Sequence, residues 1–387
     1  MKFNKWTLGL AAVGAVSLAS AVRADEAPKM SQIQTALSNT TISGYVDVAA
    51  QYNINHTVGN GDSVQPLFVS SPNSFSLNDV DIAIDKPEDD TPWASGYHID
   101  FNIGDQAVGD GAIRQGYVVL RTPVGNGIDW KFGVQDDIIG YEGNTDGNNP
   151  NYTRSVGYFV EPTTLLGLIG SYTVNKMITI QAGLANATSG DFSPDNKVIA
   201  GSIALTAPDS WGWAKGATLN LGALFNIEKN GQNNYYAGLT IPTPMSALKV
   251  GAAFDYITVA DSTPEFAPFF NPSDDSGYIV GLYGNYQATD KLALNLRGEF
   301  YKLQGNEADV PGDPNDPGVN PFPFESNGIG EEVTATVQYN LWANVISRLE
   351  FRWDHADQGV PFGLDGGRHS TPQANSFILA LNLIYQF

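Results

Sequence analysis

The 387-residue chain contains no cysteine. That excludes a disulfide framework, a thiolate zinc site, an iron–sulfur cluster and a cysteine nucleophile. Charge is scarce, with Asp, Glu, Lys and Arg making up 16% of residues, against about a quarter in an ordinary soluble domain. What charge there is runs one way: 20 Lys+Arg stand against 41 Asp+Glu, a formal net of −21. The cations are scattered singly, which disfavours nucleic acid as a partner, because phosphate neutralisation needs grouped cations. Histidine is rare, and His56, His98, His355 and His369 are far apart in sequence. A metal site built from several histidines is therefore not expected, and no cofactor is. Beyond the N-terminus, no apolar run approaches the ~18–20 residues of a spanning helix. Aromatics, by contrast, are plentiful, with 7 Trp, 17 Tyr and 19 Phe. Together with the low charge they argue against bulk disorder.

The N-terminus reads as a targeting segment. Lys2 and Lys5 precede an apolar stretch, Leu8–Val22, and Val22 and Ala24 stand at the −3 and −1 positions of a signal-peptidase site. The stretch is too short to favour an uncleaved anchor. Residues 1–24 are thus expected to be a cleaved secretory signal and Asp25–Thr40 a short periplasmic segment. Losing the signal's three cations takes the net charge from −21 to −24. Export without thiols suits the oxidising bacterial envelope.

What fills the rest is strict alternation. From Trp93 to Gly104, Trp93, Ser95, Tyr97, Ile99, Phe101 and Ile103 share one face, and Ala94, Gly96, His98, Asp100 and Asn102 share the other. That is a strand with one apolar and one polar or small face. About 16 such segments recur between Ile42–Ile54 and Ser376–Phe387, each near the ~9–11 residues that a tilted strand needs to cross a bilayer. The phase of Ile113–Thr122 is ambiguous. A soluble antiparallel sheet also alternates, so two further features decide. Connections alternate in length: Asn55–Ser74 and Asp136–Thr163 are long, whereas Pro87–Pro92 and Pro123–Gly127 are short. The apolar face also persists to the last strand (Phe377, Leu379, Leu381, Leu383, Tyr385, Phe387), where a sandwich edge would show Pro or charge. The expected fold is all-β, a transmembrane antiparallel β-barrel of about 16 strands over residues 41–387, with short periplasmic turns and long external loops. Tyr52, Trp93, Trp130, Tyr256, Tyr278, Tyr286, Tyr339, Trp342 and Tyr385 fall where aromatic girdles would lie.

Phe387, with Tyr385 and Leu383 alternating behind it, looks like the C-terminal insertion signal of bacterial outer-membrane proteins, which implies recognition by the barrel-assembly machinery. A narrower likeness lies upstream. SGYVD (43–47), FSLNDVDIAIDKP (75–87), WASGYHIDFNIG (93–104), IRQGYVVLRTPVGNGIDWKFG (113–133), IIGYE (138–142) and NPNYTRSVGYFVEPTTLLG (149–167) resemble the β-barrel porin family described as OmpL-like. The resemblance spans roughly residues 41–170. It implies an outer-membrane channel and supplies no site residues.

Period-two phase points Asp47, Asp79, Asp81, Asp85 and Asp100 inward, with Arg297, Glu299, Arg348, Glu350, Arg352 and Asp354. As a set these are candidates for a charged constriction; singly, each is as well explained by cross-strand pairing. Adding Asp129, Asp255, Glu332, Lys131 and Lys249 leaves acids in excess, which predicts modest cation preference. The connection Asp136–Thr163, with Tyr141, Glu142, Asp146, Tyr152 and Arg154, is either a loop that folds inward and sets pore width or a surface loop. Glu307, Asp309, Asp313, Asp316 and Glu325 fit a solvated acidic loop better than a calcium loop. His98 and Asp100 share a face but lack an identifiable nucleophile.

The expected function is passive diffusion of small hydrophilic solutes or ions through a water-filled barrel in the outer membrane, with no catalysis. Outer-membrane lipids and a homo-oligomer, such as a trimer, are the expected surroundings. A barrel hydrolase, a loop-mediated adhesin and a soluble glycan-binding β-protein are the alternatives.

Overall fold

The computed structural model describes residues 33–34, 40–54, 73–105, 113–188, 197–227, 232–259, 275–304, 328–358 and 374–387. The expected signal, most of the 25–40 segment and the acidic residues from Glu307 to Glu325 lie outside the described residues.

Sixteen strands form the body: β1 (Thr41–Asn53), β2 (Phe75–Lys86), β3 (Ser95–Ile103), β4 (Ile113–Thr122), β5 (Ile128–Asp136), β6 (Thr164–Asn175), β7 (Ile178–Thr188) and β8 (Lys197–Thr206). They continue with β9 (Thr218–Asn226), β10 (Gln232–Pro242), β11 (Leu248–Val259), β12 (Asp275–Gln287), β13 (Leu292–Gln304), β14 (Gly328–Trp342), β15 (Val345–Gln358) and β16 (Asn375–Gln386). Each pairs antiparallel with its sequence neighbour, and β16 pairs with β1 (Leu381↔Ala50, Ile384↔Asp47), so the sheet closes on itself. A two-residue extended piece, Ile33–Gln34, pairs with the start of β1. Closure removes the edges that lipid cannot satisfy.

The alternation is inside-out relative to a soluble barrel. On β16, Leu379 and Leu381 are 41% and 51% exposed on the outer wall, whereas Ala380 and Asn382 are buried in the lumen. The outer wall is apolar on most strands, as a lipid-facing surface must be. Tyr52 and Tyr256 lie outward near the end that bears the long connections. Trp93, Tyr286, Tyr339, Trp342 and Tyr385 lie near the other end and are likewise exposed.

Two bulges explain what period two alone could not place. Opposite Asp47–Val48, β2 carries one extra residue, Asn78. Opposite Asp100–Phe101, β4 carries one extra residue, Arg114. Each bulge turns two successive polar residues into the lumen, Asn78 with Asp79 and Arg114 with Gln115, all of them buried. The ambiguous phase of β4 is this bulge.

Candidate functional site: a loop held inside the barrel

The lumen wall is divided. Strands β6–β11 present a largely apolar inner face, including Leu165, Ile169, Ala185, Val198, Ala200, Leu224, Tyr236 and Ala253. Strands β1–β4 and β13–β15 present acids, amides and arginines. Between them lies the connection from β5 to β6. It contains a short 3-10 turn (Asp146–Asn148) and a one-and-a-half-turn helix, α1 (Val156–Val160), capped by the Ser155 hydroxyl, which accepts from the Tyr158 amide at 3.0 Å.

This connection folds inward. Ile138 and Ile139 are buried in the apolar half of the lumen, and Tyr141 stacks on Tyr283 with ring centroids 3.9 Å apart. The seat is cut to shape: a Cβ at Gly251 would collide with the Tyr141 hydroxyl, and one at Gly222 would approach Ile139 Cγ2 to 2.5 Å. Those absent side chains make room for the loop.

On the polar half the wall grips the loop backbone with both signs of charge. Glu350 accepts from the amides of Tyr152 (2.5 Å) and Thr153 (2.9 Å) and from the Thr153 hydroxyl (2.6 Å). Glu299 accepts from the amides of Val156 (2.6 Å) and Gly157 (3.1 Å). Three arginines donate to loop carbonyls. Arg297 reaches Thr153 O (2.7 Å), Arg348 reaches Asn149 O (2.5 Å) and Arg352 reaches Arg154 O (2.6 Å). Arg297 also pairs with Glu142 of the loop (2.8 Å) and Glu332 of the wall (3.0 Å), and Arg352 pairs with Asp354 (2.7 Å). Within the loop, Arg154 pairs with Asp146 (2.6 Å) and Ser155 N donates to Glu142 (2.7 Å). Charge-assisted bonds of this kind are about twice as strong as neutral ones, and each buried charge named here has hydrogen-bond partners, as burial requires.

The sequence-derived candidates thus fall into groups. Arg297, Glu299, Arg348, Glu350, Arg352 and Asp354 are together on one wall and all buried, the first five bonded to the loop. Tyr141, Glu142, Asp146, Tyr152 and Arg154 are all inside the lumen; Tyr152 OH accepts from Gln51 (2.8 Å) and donates to Asn78 (3.1 Å). Asp47 accepts from Asn78 (2.8 Å) and Asn382, while Asp79 accepts from Asn102 (2.6 Å) and Tyr45. Asp81 and Asp100 flank Arg114, which also reaches Asp136 at 2.9 Å. Asp129 pairs with Arg121 (2.6 Å), Glu332 with Arg297, and Asp255 is buried beside the loop. Lys131 sits over the Tyr117 ring at 4.6 Å, and Lys249 is half-buried apart from the cluster. Phe387 closes the strand end: its amide and carbonyl exchange bonds with Gly44, while Tyr385 and Leu383 face outward. His98 bonds Asp85 (3.1 Å) and stacks on Tyr117, and among the described residues no hydroxyl bonds to it.

Arg114, Arg121 and Glu161 were not among the candidates. The adjacent polar pair Arg114–Gln115 in an otherwise alternating strand is the signal for the first. Glu161 ends α1 and is buried near Asp137 and Asp255. Burial first, and those carboxylates second, hold the Glu161 carboxyl well above the usual range. Burial does the same to Asp137, against the lowering effect of backbone bonds from Ile138 and Ile139.

Solved structures share this architecture. The trimer form of in-vitro folded OmpT from Vibrio cholerae is 13% identical, with 90% of this chain and 99% of that chain covered and a TM-score of 0.54. The outer membrane channel DcaP of Acinetobacter baumannii is 11% identical over 90% and 97% of the two chains, with a TM-score of 0.55. The anion-selective porin from Comamonas acidovorans is 11% identical over 90% and 99%, also at 0.55. At these identities the likeness is one of fold. No curated protein sequence matches the chain. The family model described as "Putative beta-barrel porin-2, OmpL-like" matches residues 39–387, which takes in every barrel strand and the inward loop, and the chain belongs to that porin family.

Proposed function

We propose that this porin passes small hydrophilic solutes and ions passively across the outer membrane, with the 137–163 loop as the constriction and a modest preference for cations. The observation that carries the reading is the pair of wall glutamates, Glu299 and Glu350, each bound to two successive loop amides. A loop held at that many points narrows the lumen and leaves only the unfilled remainder for solutes. Width and charge then do the selecting, with no reaction.

The sign of selectivity follows from the side chains, since the same fold serves an anion-selective porin in Comamonas acidovorans. Here the loop brings Glu142 and Asp146 into the lumen against the single cation Arg154, while Asp137 and Glu161, whose protons are held tightly, add charge only as pH rises. Inward acids outnumber inward cations on the wall too, even with Arg114 and Arg121 added. In a KCl gradient across a planar bilayer the reversal potential is expected on the cation-selective side; clear anion selectivity would overturn this part of the reading.

Loop docking is expected to depend on pH. Glu161 and Asp137 hold their protons more tightly in the docked loop than a free carboxyl does. Docking is therefore favoured at low pH and weakens as pH rises from the ordinary carboxylate range through the raised values. Conductance should increase between mildly acidic and alkaline pH, and Glu161→Gln should flatten that rise. A pH-independent wild-type conductance would contradict the docking geometry around Glu161.

The expected partners of a porin, which are outer-membrane lipid, the assembly machinery acting on the Leu383–Tyr385–Phe387 end and further copies of the chain, belong to the same proposal. The trimer form of OmpT supports the last of these.

A further inference from the structure

On the outer wall, at the end with the long connections, three strands bring unlike ligand groups together. Glu331 of β14 lies directly opposite His355 of β15, which lies directly opposite Asn375 of β16. Asp357 is the extra residue of a bulge between β15 and β14, opposite the Ile329–Gly330 step. Bulges at barrel rims re-aim a side chain, and this one leaves the Asp357 carboxylate 3.2 Å from His355 Nε2. One ligand atom from each of Glu331, His355 and Asp357 falls within 4.8 Å of the others.

The imidazole's orientation is fixed by its other neighbour. Trp353 Nε1, which can only donate, bonds Asn375 Oδ1 at 2.8 Å. That atom is therefore an acceptor, and His355 Nδ1, 2.9 Å from it, is the protonated nitrogen. In neutral imidazole the Nε2 lone pair then faces the Asp357 carboxylate, two acceptors aimed at one point. A second ring proton resolves the contact as an ion pair, and a metal ion resolves it by taking that proton's place. Two ligands bound at about 2.0–2.2 Å to a tetrahedral zinc lie roughly 3.3–3.6 Å apart, close to the spacing here. A second-shell acceptor on the far ring nitrogen is the usual support of a metal-binding histidine.

We propose that Glu331, His355 and Asp357 form a surface site for a divalent transition-metal ion, Zn²⁺ foremost, with a fourth position open to water. One imidazole with two carboxylates favours zinc over Ca²⁺ and Mg²⁺, which take all-oxygen shells. The ion would tie β14 to β15, the strands that flank the 305–327 and 359–373 connections. Because the site faces away from the lumen, it is independent of the permeation reading.

The test is isothermal titration of ZnCl₂ and, separately, CaCl₂ into the refolded chain in detergent. The expected result is one Zn²⁺ site per chain that is lost in His355→Ala and weakened by at least about 10-fold in Asp357→Asn, since even an outer-shell partner is worth about 10- to 100-fold. The same Zn²⁺ should raise the thermal unfolding midpoint of the wild type and leave that of His355→Ala unmoved. Circular dichroism confirms that both variants are folded, and His98→Ala, which touches a distant histidine, should bind as the wild type does. Saturable Zn²⁺ binding that survives His355→Ala, Ca²⁺ binding as tight as Zn²⁺, or no binding to the wild type would each overturn the assignment.

Discussion

Removing residues 141–154, so that residue 140 is joined to 155, should leave a barrel that still assembles and whose single-channel conductance is several-fold above wild type. The barrel has its own closed hydrogen-bond ladder through sixteen strands and does not need the loop to satisfy it. The loop, by contrast, takes up lumen that would otherwise hold water. A less drastic version is Glu350→Ala combined with Glu299→Ala. Hydrogen bonds to a buried charge contribute about 1.5–3 kcal/mol each, and the two carboxylates accept four from loop amides. Their loss should free the middle of the loop while Ile138, Ile139 and Tyr141 keep its base seated. The double variant is then expected to show frequent transitions between the wild-type level and a larger one. A loop-deleted barrel that conducts as the wild type does would mean that the constriction lies elsewhere.

Arg297→Met should be the most destabilising single change on the polar wall. Arg297 is fully buried, donates to Glu142, Glu332 and Thr153, and has Glu299 at 3.8 Å. Methionine fills much of the volume and supplies none of the charge. Stranding buried carboxylates in this way costs about 3–5 kcal/mol. Urea unfolding in detergent should show the midpoint falling by a corresponding amount. Pairing Arg297→Met with Glu332→Gln and Glu142→Gln should recover part of the loss, because the penalty comes from the unpaired acids and not from the missing arginine. No recovery in the triple variant would assign the loss to packing instead. Arg114 sits in a similar setting among Asp81, Asp100 and Asp136, elsewhere on the polar part of the lumen.

The barrel was legible because lipid on one side and water on the other impose period two on every strand. Leu379, Leu381 and Leu383 could face nothing but lipid, and the closure of β16 on β1 followed from the absence of any blunted edge. Phase failed at Asn78 and Arg114, where a bulge inserts one residue and both neighbours turn inward. The signal was present in adjacent polar residues within alternating strands, but sequence alone does not separate a bulge from a phase error.

The loop's position was harder to read, since Gly, Asn and Asp between residues 143 and 151 suit an exposed turn equally well. What distinguishes this connection is the apolar residues at its two ends, Ile138, Ile139 and Tyr141 before the turn and Val156, Tyr158 and Val160 after it, all buried or packed inside. A loop in water would leave those side chains without partners. Which wall they would meet depends on contacts across more than a hundred residues, such as Tyr152 with Glu350, and no local pattern encodes them. The charged wall residues line the lumen, and five of them use their charge to hold the loop. That was invisible until the loop was seen to be there.

A water-filled barrel, narrowed by its own third long connection, is expected to carry ions passively. Single-channel recording of the refolded chain in a planar bilayer, with cations and anions of graded size, tests it most directly. Discrete ohmic steps are expected, their height falling as the permeant cation grows, with large anions carried least. A refolded, membrane-inserted barrel that carries no current with any ion would contradict it.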